Sequence, residues 1–175
     1  MERLILFRHG EAEESAASGE DFDRALTDGG RAEAAAVGRL LAVSGSSPDL
    51  ALVSSAVRAV QTFEAARPVF LHARQQASRS LYLASARELM EAIQADQDNV
   101  RVLMVVGHNP GIHELALALA REGLAPHARP SADMNTLESR FPTAAAAVFT
   151  FDEAAKPHLI ALHMPHHSKV SGRKP

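Results

Sequence analysis

The sequence predicts an α/β fold: a three-layer αβα sandwich around a mainly parallel central sheet. Short apolar runs, several of them ended by glycine or serine, alternate with longer stretches in which apolar residues recur at helical spacing. That alternation is typical of a parallel sheet with helices on both faces. The 175 residues are enough to bury one sizeable core. We therefore expect a single domain over residues 1–164 and a disordered tail over residues 165–175.

The first four elements are predicted by apolar runs and by helix boundary signals. Residues 3–7 form a short apolar run ahead of a glycine, which indicates a buried strand. Residues 27–43 begin with Thr-Asp-Gly-Gly, typical of a helix start, and continue with alanine and leucine at helical spacing. Residues 50–53 form the second strand. The next helix begins near Val57 and ends before Pro68, because the residue preceding a proline avoids the helical region.

The remaining elements follow the same two patterns. Residues 86–97 and 112–121 carry apolar side chains at helical spacing and are predicted helices. Residues 102–106 are all apolar and end at a glycine, which makes them the clearest buried strand of the chain. Two further strands are expected over residues 144–151 and 159–162, which completes an order in which strands and helices alternate.

Three stretches are not assigned a regular element. Residues 11–25 are polar and small and are expected to form a loop, and residues 69–83 are ambiguous. Residues 123–140 contain prolines and polar side chains and are expected to be irregular. None of these stretches is large enough for a cap domain, so a site at the sheet edge should be shallow and open.

Composition narrows the class of protein. The formal net charge of −3 gives no general attraction to nucleic acid or to an anionic membrane, and aromatic residues make up only 5%, too few for base-stacking platforms. The absence of cysteine excludes disulfides, thiolate catalysis and cysteine-ligated zinc. The sequence shows no signal peptide and no apolar run long enough to span a membrane. We therefore expect a cytoplasmic protein.

The most informative residues stand at the ends of three predicted strands. Arg8-His9-Gly10 follows the first strand, Ser54-Ser55 leads from the second strand to Arg58, and His108-Asn109 follows the strand over residues 102–106. The carboxyl ends of parallel strands lie side by side on one edge of a sheet. Residues far apart in sequence are therefore expected to meet there.

Two arginines and two histidines at one edge suit a phosphoryl group. Arginine presents a planar fork of donors that matches phosphate oxygens. A neutral histidine can attack phosphorus and hold the group as phosphohistidine until water releases it, and a second histidine, if cationic, can stabilise the equatorial oxygens. The helix that begins near Val57 would direct its positive N-terminal dipole at the same anion. Because arginines supply the positive charge, we expect neither a metal nor a cofactor.

The chain resembles the histidine phosphatase superfamily, and within it the short phosphohistidine-phosphatase branch called SixA. Six blocks carry this resemblance, in order along the chain: Arg8-His9-Gly10, residues 21–30, residues 54–62, residues 81–85, residues 107–111 and Phe141-Pro142-Thr143. The resemblance implies a phosphoglycerate-mutase-like fold. It also implies that His9 is the nucleophile and that Arg8, Arg58 and His108 form the phosphate pocket.

One feature of the wider superfamily is missing. Phosphomutase-like members carry a catalytic acid in the middle of the chain, but the matching residues 81–86 contain none, and nearby Glu88 is expected on a solvated helix face. An alkoxide leaving group needs a proton donor, whereas an imidazole, with a pKa near ~6.5, leaves more easily. A site without an acid therefore favours cleavage of a phosphorus–nitrogen bond.

Several other polar residues have more than one interpretation. Ser15 could contact phosphate or be an ordinary loop serine, and Asn109 could bind phosphate or cap the following helix. Thr143 is expected at the pocket rim. For Asp21 and Arg24 we favour an ion pair that holds the loop in place.

The sequence thus predicts a phosphatase that hydrolyses phosphohistidine on a protein through a covalent phosphohistidine on His9. The expected partner is a phosphorylated protein, for which a histidine phosphotransfer domain is a candidate; no nucleic acid or membrane partner is expected. Two alternatives stay open. One is a phosphatase of small phosphorylated metabolites, and the other is a phosphate-dependent binding module without turnover.

Overall fold

The computed structural model describes residues 1–125 and 128–165, and its centre is a six-stranded sheet. In chain order the strands are β1 (Arg3–Arg8), β2 (Leu50–Ser54), β3 (Arg74–Ser78), β4 (Val102–Gly107), β5 (Ala146–Phe151) and β6 (Pro157–His163). Their order across the sheet is β3-β2-β4-β1-β5-β6. The first four of these are parallel, whereas β5 runs antiparallel to both β1 and β6. The predicted α/β fold with a mainly parallel sheet is confirmed.

Helices cover both faces of the sheet and complete three layers. They are α1 (Asp28–Val43), α2 (Val57–Ala66), α3 (Ala86–Asp96), α4 (Gly111–Gly123) and α5 (Ala132–Ser139). Helices α1 and α2 pack against one face, and α3, α4 and α5 pack against the other. Each face has its own apolar core.

Strand β1 shows why the central strands are readable in the sequence. Leu4 and Leu6 pack into the core beneath α3 and α4, and Ile5 and Phe7 pack into the core beneath α1 and α2. A strand covered on both faces needs apolar side chains at every position, so it appears as a continuous apolar run. Removing these side chains from water, at roughly 25 cal/mol per Å² of apolar surface, is the main stabilising contribution at the centre of the molecule.

Two predicted helix starts are confirmed by their caps. The Thr27 hydroxyl accepts the amide of Gly30 at 2.9 Å and begins α1. At α3, Ser85 and Glu88 form a reciprocal capping box, in which the Glu88 carboxylate accepts the Ser85 amide at 2.8 Å. Glu88 is exposed, as expected, and it serves the helix end rather than the pocket.

Two elements were not predicted. Strand β3 lies within the ambiguous residues 69–83; it is an edge strand with a polar, mostly exposed sequence, so it carries no apolar alternation. Helix α5 lies within residues 123–140, where an irregular segment was expected, and that prediction is wrong. Ser131 caps this helix through the Met134 amide at 3.1 Å. Its short length and its small buried face give little periodicity to recognise.

The start of β5 also differs from the prediction. The strand was expected from residue 144, but it begins at Ala146. Ala144 has a positive φ of 56°, and the amide of Ala145 donates to the carbonyl of Pro142 at 3.1 Å, so a turn precedes the strand. Within the described residues no helix is long and apolar enough to cross a membrane. The expected tail lies almost wholly outside them.

Candidate active site

The carboxyl edge of the sheet brings the predicted residues into one pocket. His9 follows β1, His108 follows β4, and Arg58 lies in the first turn of α2 after β2. Because β4 pairs with both β1 and β2, these three strand ends are neighbours. The pocket has a volume of about 470 Å³ and opens to solvent. Its lining includes six of the predicted site residues: Arg8, His9, Arg58, His108, Asn109 and Thr143.

A glycine holds the loop after β1 close to two helices. A Cβ on Gly10 would stand 2.7 Å from the carbonyl oxygen of Gly30 in α1, so only glycine fits there without a shift. The Gly10 amide donates to the Thr62 hydroxyl at 2.9 Å, and that hydroxyl donates to the Arg58 carbonyl at 2.6 Å. The loop that carries His9 and the helix that carries Arg58 are therefore linked directly.

His9 is held in the state that a nucleophile needs. Its Nδ1 lies 2.7 Å from the Gly10 carbonyl oxygen, which can only accept, so Nδ1 carries the ring proton and Nε2 keeps its lone pair. Burial, together with the positive charges of Arg58 and Arg8, lowers the pKa of His9 to about 4, against the opposing effect of the Gly10 bond. Near pH 7 the ring is neutral.

Arg58 is almost completely buried and is oriented by Asp21. One terminal nitrogen donates to the Asp21 carbonyl at 2.6 Å, and the other donates to Asp21 Oδ2 at 2.8 Å. Oδ2 also accepts the Tyr82 hydroxyl at 2.7 Å, and Oδ1 pairs with Arg24 at 2.7 Å. The bond from Tyr82, followed by those from Arg24 and Arg58, holds the pKa of Asp21 well below its usual range. The predicted Asp21–Arg24 ion pair is confirmed, but its link to Arg58 was not foreseen.

His108 lies beside His9, with 5.0 Å between the ring centroids. Its Nε2 is 2.8 Å from the hydroxyl of Ser54, and both residues are buried. Burial lowers the pKa of His108 to about 3, and the neighbouring His9 and Arg58 contribute in the same direction. The cationic state considered for the second histidine is thus disfavoured while the pocket holds no anion.

Three buried polar atoms of the pocket residues have no hydrogen-bond partner within the described chain: Arg8 Nε, His108 Nδ1 and Asn109 Oδ1. An unsatisfied buried polar group costs about 1–3 kcal/mol, so such groups are rare in native proteins. Their collection in one pocket is what a site for a polar ligand requires.

The carbonyl of Phe141 orients two of these residues. It accepts a terminal nitrogen of Arg8 at 2.8 Å and the amide nitrogen of Asn109 at 3.1 Å. Asn109 does not cap α4, whose N-cap is Pro110 without a side-chain hydrogen bond. Of the two interpretations of Asn109, the helix cap is therefore wrong, and contact with phosphate stays a prediction.

Ser15 is not part of this pocket. It is exposed and borders a neighbouring depression with Glu13, Glu14 and Thr27. Conversely, five residues that were not predicted as site residues line the pocket: Glu11, Ala12 and Leu83, and also Asp21 and Arg24, which were expected only to hold a loop in place. Leu83 is 52% exposed and has a positive φ of 50°. No local pattern could have revealed it, since an exposed leucine in a loop has no periodicity.

Positive charge at the pocket comes from arginine. Arg8, Arg24 and Arg58 all line it. In the part of the chain that the structure describes, no three histidine, aspartate or glutamate side chains are grouped so that they could hold a metal ion.

Comparison with known proteins agrees with this geometry. The sequence model of the histidine phosphatase superfamily (branch 1) matches residues 4–75. A crystal structure of a candidate phosphohistidine phosphatase SixA from Agrobacterium tumefaciens is 31% identical, with a TM-score of 0.80 over 94% of this chain and 98% of that one. The chain belongs to the histidine phosphatase superfamily. Its solved relatives place this histidine phosphatase in the SixA-type branch, which confirms the resemblance inferred from the sequence.

Two further relatives complete the comparison. The protein histidine phosphatase SixA complexed with tungstate is 25% identical, with a TM-score of 0.71 over 93% of this chain and 97% of that one. An uncharacterised protein of Mycobacterium tuberculosis is 33% identical over 128 residues, which are 73% of this chain and 77% of that protein. Family and fold together support a phosphatase.

The lowered pKa values of the two histidines predict an unusual titration. An ordinary histidine takes up its proton near pH ~6.5, but His9 and His108 should stay neutral until the pH falls towards 4 and 3. Since the unfolded chain binds these protons first, the free energy of unfolding should decrease as the pH falls from about 6.5 towards 4. Histidine ¹⁵N shifts followed from pH 8 to pH 4 test this, because both rings should stay largely neutral down to about pH 5. Midpoints near 6.5 for these two rings would contradict the burial argument.

Proposed function

We propose that this phosphatase hydrolyses phosphohistidine on a protein through a covalent phosphohistidine at Nε2 of His9. The observation that carries the proposal is the state of His9: neutral, with Nδ1 engaged by the Gly10 carbonyl, beside an arginine-lined pocket with unpaired polar atoms. A ring in that state can form a bond to phosphorus, and the arginines can bind the phosphoryl oxygens.

The proposed reaction has two balanced steps. In the first, the Nε2 lone pair of His9 forms a bond to phosphorus while the substrate's phosphorus–nitrogen bond breaks, and its electron pair returns to the substrate imidazole. In the second, water attacks phosphorus, the bond to His9 breaks and returns its electrons to Nε2, and the water proton leaves with inorganic phosphate. Arg8, Arg58 and His108 bind the phosphoryl oxygens throughout.

The carboxylates at the pocket support a nitrogen rather than an oxygen leaving group. Asp21 accepts hydrogen bonds from Arg58, Arg24 and Tyr82, which keeps it ionised. Glu11 accepts the Thr27 hydroxyl at 3.0 Å and is exposed. Asp21 is therefore not held as a protonated acid. A phosphate ester needs such an acid for its alkoxide, whereas an imidazole that already carries a proton on its other nitrogen leaves as a neutral ring.

The open pocket also favours a protein substrate. A small metabolite is normally enclosed by pocket walls or a lid. Here the pocket is open to solvent, and the exposed Leu83 is one of its lining residues. When a phosphohistidine lies on the surface of a partner domain, such as a histidine phosphotransfer domain, the surface of that domain would itself enclose the phosphoryl group in the open pocket.

A phosphate-release panel tests the proposal. We expect kcat/KM for a phosphohistidine protein to lie well above the values for phosphoramidate, aryl phosphates and sugar phosphates. A small phosphate ester that is hydrolysed as efficiently as the best phosphohistidine protein would replace this proposal with the metabolite phosphatase. If the protein binds phosphohistidine but releases no phosphate from any substrate of the panel, it would be a binding module.

Catalysis is expected to be independent of added metal, because the arginines at the pocket already supply the positive charge that phosphoryl transfer needs. Exhaustive chelation should therefore leave kcat/KM unchanged, and vanadate should inhibit competitively, since it resembles phosphate and can become five-coordinate. Phosphate release measured with and without chelator checks this. Activity that is lost on chelation and restored by magnesium or zinc would contradict it.

A further inference from the structure

Ser54 contacts His108, the second histidine of the pocket, from outside the pocket lining. It is the last residue of β2, its side chain is fully buried, and its hydroxyl lies 2.8 Å from Nε2 of His108. It does not line the pocket. Any effect of Ser54 on the reaction must therefore be indirect, and His108 is the pocket residue that its side chain contacts.

The other contact of the Ser54 hydroxyl decides the direction of this hydrogen bond. Its oxygen accepts the backbone amide of Ala56 at 3.3 Å, and within the described residues its own proton meets no acceptor except His108 Nε2. If Nε2 carried the ring proton and donated, the buried serine proton would be left unpaired, at a cost that buried polar groups rarely bear. The serine therefore donates and Nε2 accepts.

An accepting Nε2 fixes the position of the ring proton. A neutral imidazole has one proton, so it must then lie on Nδ1, which is the buried His108 atom without a partner. Burial opposes a second proton on the ring, and the neighbouring positive charges of Arg58 and Arg8 act in the same direction by lowering the pKa of His108. The opposite tautomer would turn a lone pair, rather than a donor, towards an anionic ligand.

We propose that Ser54 is a positioning residue that holds His108 as the neutral tautomer with its proton on Nδ1, so that His108 serves the phosphoryl group as an uncharged hydrogen-bond donor. This inference rests on the proposed function for its role in catalysis. The tautomer itself can be determined without any substrate.

Long-range ¹H–¹⁵N correlation spectra of histidine-labelled protein at pH 7.5 test the tautomer, with the His108 signals identified by their loss in His108→Asn. In the unmodified protein we expect a neutral ring with the proton on Nδ1. In Ser54→Ala the population should shift towards the form protonated on Nε2, and Ser54→Thr, which keeps the hydroxyl, should restore the original spectrum. Ser46→Ala is the matched control, since Ser46 is a buried serine that precedes β2 and lies away from the pocket.

Kinetics give the second readout. The Ser54→Ala change should lower kcat/KM for a phosphohistidine protein about tenfold, the effect of losing one oriented hydrogen bond, while Ser46→Ala leaves it unchanged. A proton on Nε2, a doubly protonated ring, or an unchanged tautomer in Ser54→Ala would each overturn the inference. If the unmodified protein hydrolyses no phosphohistidine protein, the proposed function fails while the spectra still decide the tautomer.

Discussion

Replacing His9 with alanine is expected to lower phosphate release from a phosphohistidine protein at least about 10³-fold, because the proposed bond to phosphorus then has no nitrogen to form on. No neighbouring side chain can substitute easily. His108 lies next to His9, but its Nε2 is occupied by Ser54. Steady-state kinetics of the purified variant measure the loss.

The His9→Ala variant needs two controls. His72→Ala removes an exposed histidine outside the pocket and should leave the rate unchanged. Tungstate binding and thermal unfolding of His9→Ala should show that the pocket and the fold remain, because Arg8 and Arg58 are untouched. Substantial residual turnover in a folded His9→Ala protein would rule out His9 as the nucleophile.

Replacing Arg58 with alanine should raise the barrier by about 2–4 kcal/mol, roughly 30- to 1000-fold in kcat/KM, by analogy with donors that stabilise an oxyanion. Two effects combine. The guanidinium no longer binds the phosphoryl oxygens, and Asp21 loses one of its positive partners while it still lines the pocket. An ionised Asp21 with less compensation would repel the incoming phosphoryl group.

The second effect can be separated by a double variant. Adding Asp21→Asn to Arg58→Ala removes the uncompensated carboxylate, so the double variant should recover part of the lost kcat/KM. Asp21→Asn alone should lower activity moderately, since Arg58 would keep its bond to the Asp21 carbonyl. An Arg58→Ala protein that retains nearly full activity would show that Arg58 does not bind the transferred group.

The parts of the fold that the sequence predicted are those buried on both sides. Strands β1, β2 and β4 lie at the centre of the sheet and are apolar at nearly every position. Strand β3 and helix α5 were missed for the opposite reason: an exposed edge strand and a short helix are stabilised mainly by their neighbours in the fold.

The pocket also has a part that the sequence predicts, the convergence of its residues, and a part that it does not, the contacts between them. That Arg8, Arg58 and His108 converge follows from the rule that parallel strand ends share an edge. The contacts that set their chemistry do not follow from it. Asp21 meets Arg58 across 37 residues, and Ser54 meets His108 across 54. No periodicity or local spacing encodes such pairs, and the neutral state of His108 depends on burial that only the folded chain reveals.

Rapid mixing of the enzyme with a phosphohistidine protein, quenching in alkali and peptide mass spectrometry would locate the transferred phosphoryl group. We expect a phosphorylated peptide whose modified residue is His9, stable in alkali and lost in acid, that forms and decays within one turnover. It should be missing in His9→Ala and present in His72→Ala. Phosphate release at full rate without any phosphorylated enzyme peptide, or with the group on another residue, would contradict covalent catalysis by His9.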